Sequence, residues 1–519
     1  MVIGIVIMGF REKTDSFVLE LTVFCGGALI MVYEIIGSRI LAPYVGTSTY
    51  TWTSLIGVIL GALSLGYWLG GSWADRNPSK AVLSGAVFLA GGLVAATVLL
   101  KEAFLPLLTD NSLPLELKTV LASLVLFAPP SVLLGFVPPY AVKLKTRSLE
   151  TTGRTVGRLY ALSTVGSILG TFAAGFLLLP FVGSTRTLYL IAVILFILAA
   201  LIAPFPASRP RIAALAILFL GIAASETGSY FLRSVMNFHD LDTEYSRVQI
   251  LDTTQIKTGR AIRAMRIDPF VFQSSIYLDT HEPASEYHRF YHLLRHFDPD
   301  FENTLMIGGA GYSFPKEYLK SYPGRRIDVV EIDPMMTQLA REHFDLKDDP
   351  RLKIIHADGR IFLNGAKSAA YDVVLIDAFS TLFSVPFHMI TIEAVSEIER
   401  VLDDDGVVIL NLGTAIKGDA GRFLGAVLST YRKVFQIVLV FKVNAEKSDT
   451  SVQNVILVAV KNSDRKISRS VDEEIEILLA NEYKGEFEQG EAVLTDDLAP
   501  VEYLSSFVQA RFVSEAGRR

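Results

Sequence analysis

The sequence predicts an α-helical transmembrane bundle followed by an α/β domain built on a parallel sheet. Three observations carry this. The first 230 or so residues are rich in Leu, Ile, Val, Ala and Gly and poor in charge. After Asn237 the charge density rises to that of a soluble protein, and strand-like and helix-like segments alternate. Within this second half, a glycine-rich turn, Ile307-Gly-Gly-Ala-Gly311, follows a strand, and Glu331 closes the next strand 23 residues after Gly308. Such a turn lets backbone N–H groups approach a ligand, and an acid at the next strand tip accepts hydrogen bonds from a ribose.

Composition bounds the rest. A chain of 519 residues suggests more than one domain. The expected division is a multi-pass domain over 1–235, a small β region over 236–300 and a nucleoside-binding domain over 301–519. The net charge of −6 is mild, and no basic run with interleaved aromatics appears, so nucleic acid is not an expected partner. The one cysteine, Cys25, excludes an intrachain disulfide or a cysteine metal site. His281, His288, His292 and His296 lack metal-ligand spacing, so no metal is expected.

Spanning a bilayer takes about 20 apolar residues. Seven segments approach this: Phe17–Ile36, Thr51–Gly71, Ala81–Leu100, Thr119–Val142, Leu159–Phe181, Leu188–Pro204 and Ile212–Tyr230. Met1–Phe10 is too short to span, and the charges after it run in the wrong order for a signal peptide. Ala128-Pro-Pro130 and Val137-Pro-Pro139 must break or kink the fourth segment. Gly57, Gly61 and Gly66, and Gly166, Gly170 and Gly175, are spaced for close helix packing. Glu34 within the first span calls for a partner, Arg39 or Arg76, or a role in a substrate or proton path. Gly70-Gly-Ser-Trp-Ala-Asp-Arg76 looks like the loop signature of major-facilitator transporters.

Lys and Arg concentrate after segments two, four and six, which places the N-terminus in the cytoplasm. Seven crossings then put the second half outside. A nucleoside cofactor is made in the cytosol, so the second half is expected on the cytoplasmic face, although the loop charges argue the opposite.

In the second half, Glu244–Asp252, Arg260–Ile267 and Val271–Tyr277 read as a small antiparallel β region, and Glu286–His296 as a helix. Strands at Thr304–Gly308, Arg326–Glu331, Lys353–Ala357, Tyr371–Ile376 and Gly406–Leu410 then alternate with helices. That alternation gives a parallel sheet covered on both faces. A late pair, Gln436–Lys442 and Asn454–Val460, adds an antiparallel edge, which describes a methyltransferase-type Rossmann domain. Ligands bind at the carboxyl tips of such strands. The tips carry Gly308, Gly309 and Gly311, then Glu331, then Asp358-Gly359, then Asp377. Glu331 would hold ribose hydroxyls, Asp358 an adenine amino group, and Asp377 would face the reacting centre. Asp333 before Pro334 reads as a helix N-cap.

Tyr245-Ser-Arg-Val, Gln273-Ser-Ser275, Tyr287-His288, Ile307-Gly-Gly309, Val330-Glu-Ile-Asp333, Asp358-Gly359 and Ile376-Asp377 resemble, in order and spacing, the spermidine synthase (polyamine aminopropyltransferase) family. The likeness runs from about Thr243 to Val460 and is to the membrane-fused members. It implies aminopropyl transfer from decarboxylated S-adenosylmethionine to a small-molecule amine, releasing methylthioadenosine, in a homodimer at the lipid bilayer. It further implies Asp377 as the base, Ser246 beside the cofactor, and Tyr287, His288, Gln273 and Ser380 beside the amine.

The chain departs from the family's pattern in the same region. Gly311 stands where the family's glycine loop has an Asp, Arg289 where a Glu follows Tyr-His, and Ser380 where a second Asp follows the catalytic one. The nucleoside half of the pocket is kept, while the amine half has lost carboxylates. Asp496 and Asp497 could replace them if the tail folds over the site. Two other readings stay open: an S-adenosylmethionine-dependent methyltransferase on a membrane-associated substrate, and a polyamine transport or sensing protein with a non-catalytic nucleoside domain.

Overall fold

A computed structural model describes residues 2–46, 48–109, 113–146, 148–203, 215, 221, 237–267, 271–378, 385–462, 470–488 and 492–516. Contacts divide the chain into two compact units. One holds Met1–Val235 and Asp240–Arg247, the other Met236–His239 and Val248–Arg519.

The first unit is helical. Among the described residues, five helices are long and apolar enough to cross a bilayer: Thr14–Val45, Thr49–Arg76, Lys80–Leu108, Leu149–Phe181 and Ser184–Ile202. A sixth span arises if Leu115–Leu126 and Ala128–Lys145, bent by 52°, count as one. The proline pairs explain the bend, because each sits at the first turn of a new helix, Ala128–Gly135 and Val137–Lys145. The expected seventh span, Ile212–Tyr230, lies outside the described residues apart from 215 and 221. The first helix begins at Val2, ahead of the expected Phe17. Arg, Glu and Lys are good helix formers, so the charges at Arg11–Lys13 do not interrupt it.

Half of the expected packing glycines are in contact. A Cβ at Gly66 would lie 2.2 Å from the Val132 carbonyl oxygen, at Gly166 2.0 Å from that of Phe24, and at Gly170 2.3 Å from that of Ala28. Gly57, Gly61 and Gly175 have nothing within 4 Å. Glu34 pairs with neither expected arginine; Arg39 donates to the Glu244 carbonyl.

The bundle has two chemically different ends. At one, Lys80 pairs with Asp15 (2.5 Å), Lys143 with Asp75 (2.6 Å), and Arg158 (2.9 Å) and Lys145 with Glu20. At the other, Lys101 donates to Thr185 (3.1 Å), and Ser184 donates to Asp242 from both its backbone N–H (2.8 Å) and its hydroxyl (3.1 Å). Asp240–Arg247 is therefore fixed at the end opposite the cation-rich loops.

The chain from His239 onward forms two sheets. Strands β1 (His239–Asp242), β2 (Arg247–Thr254), β3 (Ala261–Arg266) and β4 (Phe272–Tyr277) lie in chain order, with β2–β3 and β3–β4 antiparallel. The larger sheet has seven strands in the order β10-β11-β9-β8-β5-β6-β7. These are β5 (Asn303–Ile307), β6 (Arg326–Glu331), β7 (Leu352–His356), β8 (Tyr371–Ile376), β9 (Leu402–Thr414), β10 (Ile437–Lys442) and β11 (Gln453–Val460). The order reverses between β5 and β8, which creates the crevice at their carboxyl ends. β5 to β9 pair in parallel, and β11 runs antiparallel between β9 and β10. This corrects one expectation, since the antiparallel strand is interior and β10 forms the edge. Burial explains it: Val455–Val460 is buried throughout, as a strand covered on both faces must be, whereas β10 is half-exposed over Ile437–Leu439.

A second correction concerns Glu286–His296, expected as one helix. It forms two short pieces, His288–Tyr291 and Leu294–Phe297. His292, Leu293 and His296 donate to carbonyls three residues back, and histidines and aromatic residues are weak helix formers.

Candidate active site

The glycine turn after β5 is shaped by its neighbours. Gly308 has φ +98°, and a Cβ there would lie 2.4 Å from the Asp377 carbonyl oxygen. Only glycine fits that approach. Gly308 N–H donates to the Val330 carbonyl and Asp377 N–H to the Ile307 carbonyl, both at 2.9 Å. The tips of β5, β6 and β8 are thereby held against one another.

Glu331, buried at 7% exposure, closes the loop from the β6 side. Its Oε2 accepts from the N–H groups of Gly309 (2.8 Å) and Ala310 (2.9 Å), and its Oε1 from that of Asp333 (2.9 Å). Burial raises its pKa, and those three bonds pull the other way. A carboxylate offers about four lone-pair sites, so roughly one remains for a ribose hydroxyl. Gly311 N–H donates to Ser274 Oγ (3.0 Å), and a Cβ at 311 would lie 2.7 Å from Ser274 Cβ. Position 311 has no room for an acidic side chain without displacing Ser274.

Asp358 at the third tip caps the helix Gly359–Gly365, its Oδ1 accepting from Arg360 N–H (2.8 Å) and Ile361 N–H (3.0 Å). Its Oδ2 lies 3.4 Å from His388 Nε2. The cap occupies one oxygen, so an adenine amino group has only Oδ2 to meet. Gly359 packs close, since a Cβ there would lie 2.6 Å from Ile307 Cγ2. Asp333 caps the helix from Pro334 as expected, accepting from Met335 N–H at 3.0 Å.

Asp377 lies half-buried among aromatic residues and amides. Tyr287 donates its hydroxyl to Oδ2 (3.1 Å) and Asn411 its amide to Oδ1 (3.0 Å). Asn454 in turn donates to Asn411 Oδ1 (3.0 Å), which fixes which way that amide points. Burial raises the Asp377 pKa above the ordinary carboxylate value, while the bonds from Asn411 and Tyr287 lower it. The Tyr291 hydroxyl also lies beside this carboxyl. His288 is 2% exposed, its ring 4.2 Å from that of Tyr287 and 6.2 Å from that of Phe314. Its Nδ1 is without a partner, and burial, with His292 nearby, lowers its pKa to about 3.

The other expected site residues that are described make contacts of their own. Gln273 Oε1 accepts from Ile267 N–H at 2.6 Å, tying β4 to the end of β3. Ser246 lies in the turn between β1 and β2, its N–H donating to Thr243 Oγ1 at 2.9 Å. Ser380 lies outside the described residues. Asp496 pairs with Arg360 (2.9 Å) and accepts from Thr391 (2.6 Å), and Asp497 is exposed. Neither aspartate has a described contact with Asp377. The sequence reading missed Asn411, Asn454, Tyr291 and Ser274. Asn411 was discoverable, because it interrupts the apolar run Val407–Leu412.

The sequence pattern of the spermine/spermidine synthase domain matches residues 285–436. A polyamine aminopropyltransferase of Vibrio vulnificus is 30% identical over 162 residues, 31% of this chain and 52% of that protein. Polyamine aminopropyltransferase 1 of Streptomyces coelicolor is 26% identical over 440 residues, 78% of this chain and 77% of the relative. That alignment is longer than the α/β half alone and runs into the helical half. An eEF1A lysine and N-terminal methyltransferase of Xenopus laevis is 31% identical over 179 residues, 33% of this chain and 24% of that protein. The chain thus spans about half the length of the Vibrio relative. Residues 285–436 thus carry the pattern of the spermine/spermidine synthase domain, and the chain is similar to polyamine aminopropyltransferases over that region and beyond it.

Proposed function

We propose that the chain is a membrane-bound aminopropyltransferase that moves an aminopropyl group from decarboxylated S-adenosylmethionine to an amine. The observation that carries this reading is Asp377, a half-buried carboxyl held by Tyr287 and Asn411 beside a glycine loop that Glu331 grips.

The chemistry needs little more. The amine must shed a proton to expose its lone pair, and Asp377 accepts that proton. The lone pair attacks the carbon next to the sulfonium, the carbon–sulfur bond breaks, and its electron pair neutralises the sulfur. Methylthioadenosine leaves as a neutral thioether. Glu331 and the loop hold the nucleoside, and Tyr287 and Asn411 hold Asp377, so the gain comes largely from alignment. A second reading, methyl transfer from intact S-adenosylmethionine, draws on the likeness to the Xenopus methyltransferase.

Calorimetry with methylthioadenosine, S-adenosylmethionine and its decarboxylated form separates the two, read together with product masses from cell extract. The decarboxylated cofactor should bind and yield methylthioadenosine; binding of intact cofactor alone, with methylated product, would replace this reading with the second. The carboxyl must be ionised to act as a base. Its raised pKa therefore predicts that kcat/KM climbs as pH rises through a value above the ordinary aspartate range. A flat profile from pH 4 to 8 would argue against Asp377 as that base.

The helical unit, read with the loop charges, supports one sidedness. Asp240–Arg247 is fixed at the end opposite the Lys80, Lys143 and Arg158 ion pairs, and the loop-charge rule puts those cations in the cytoplasm. Residues 240–247 are accordingly expected on the non-cytoplasmic face. A cysteine placed at exposed Glu244, with Cys25 replaced, should react with a membrane-impermeant maleimide in intact cells. Reaction only after lysis would place that segment in the cytoplasm.

A further inference from the structure

We propose that the acceptor is a monoamine, one ammonium nitrogen on an uncharged body, and not a diamine. This rests on the aminopropyl-transfer reading and names its acceptor class.

The charge around the reacting carboxyl limits what can bind there. Among the described residues in contact with it, Asp377 is the one anion. Its neighbours Tyr287, Tyr291, Asn411 and His288 are neutral, the histidine because burial holds its pKa near 3. The other acids of the strand tips are committed. Glu331 takes three backbone N–H groups, and Asp358 caps a helix and faces His388. Position 311 has no space for a carboxylate, because Ser274 lies where its Cβ would go. In the sequence, no acid follows Asp377 before Glu393, whose Oε2 accepts from Asp496 N–H at 3.0 Å.

A first ammonium entering this setting gains Asp377 and passes it a proton. A second finds no anion among the described residues around Asp377, and an ammonium that leaves water without a partner is disfavoured. Aromatic faces attract a cation far less than a carboxylate does in the same surroundings. His288 Nδ1, without a partner, suits a neutral polar group instead.

The test uses the full chain in detergent with decarboxylated S-adenosylmethionine, and reads methylthioadenosine release. Acceptors are matched pairs, 1-aminobutane against 1,4-diaminobutane and 1-aminopentane against 1,5-diaminopentane. The monoamine of each pair should have a kcat/KM about tenfold or more above its diamine. Equal or better turnover of the diamines overturns the proposal while leaving aminopropyl transfer in place. No methylthioadenosine from either member of a pair, with the nucleoside still binding in calorimetry, removes aminopropyl transfer itself and the proposal with it.

Discussion

Asp377→Asn is expected to lower kcat by about 10²- to 10⁴-fold, the range a positioned general base supplies. Methylthioadenosine should bind as before, because the nucleoside is expected on the Glu331 side of the loop. Asparagine has nearly the volume of aspartate, so the close approach of Gly308 to the residue-377 carbonyl is preserved. Stability should not fall at neutral pH, and the sign follows from linkage. The folded-state pKa of Asp377 is raised, so the fold favours the protonated form, and that contribution is lost as pH rises through the raised value. A neutral amide removes the cost of ionisation. Steady-state kinetics, calorimetry with methylthioadenosine and a thermal melt read the three quantities. Turnover within a few-fold of the unmodified protein would take Asp377 out of the base role, and loss of nucleoside binding would make its role structural.

Glu331→Ala should act in the opposite way, on binding and stability before chemistry. It strands the N–H groups of Gly309, Ala310 and Asp333 in a site where the carboxylate itself is 7% exposed. A buried donor left unpaired costs about 1–3 kcal/mol, and water entering the vacated space offsets part of that. A net loss of about 2–4 kcal/mol follows, with nucleoside affinity down by about 100-fold as the loop loses its anchor. Glu331→Gln is the discriminating companion. It keeps one oxygen for Gly309 and Ala310 but turns an NH₂ toward the Asp333 N–H, so it should fall between the two. If Glu331→Ala melts like the unmodified protein and binds methylthioadenosine equally well, the carboxylate neither anchors the loop nor meets the nucleoside.

Asn411 and Asn454 show why parts of the site were hidden. One lies on β9 and the other on β11, strands that pair antiparallel although 43 residues separate the two side chains. Nothing local in the sequence says that an amide on a late strand will orient an acid at the tip of β8. Ser274 is similar. Its neighbourhood was noted as a motif, but its effect, filling the space beside Gly311, requires β4 to meet the glycine loop. Asp358 shows the reverse case, in which a role expected at the ligand is partly taken by a helix cap that sequence spacing also permits.

The sequence by itself determined the local and periodic features. These are the apolar helices with their proline breaks, the alternation of β5 to β9 with helices, the glycine turn, and acids at successive strand tips. Each follows from steric limits, side-chain period or hydropathy over a few neighbouring residues. Only the tertiary structure decided that β11 lies inside the sheet, that Glu331 spends its oxygens on the loop, and that Asp377 has no second anion beside it among the described residues. It also fixed Asp240–Arg247 at the end of the bundle opposite the Lys80, Lys143 and Arg158 ion pairs. Those outcomes depend on which distant groups arrive beside one another, and a buried charge or hydrogen bond is settled by its surroundings in space and not by its neighbours in the chain.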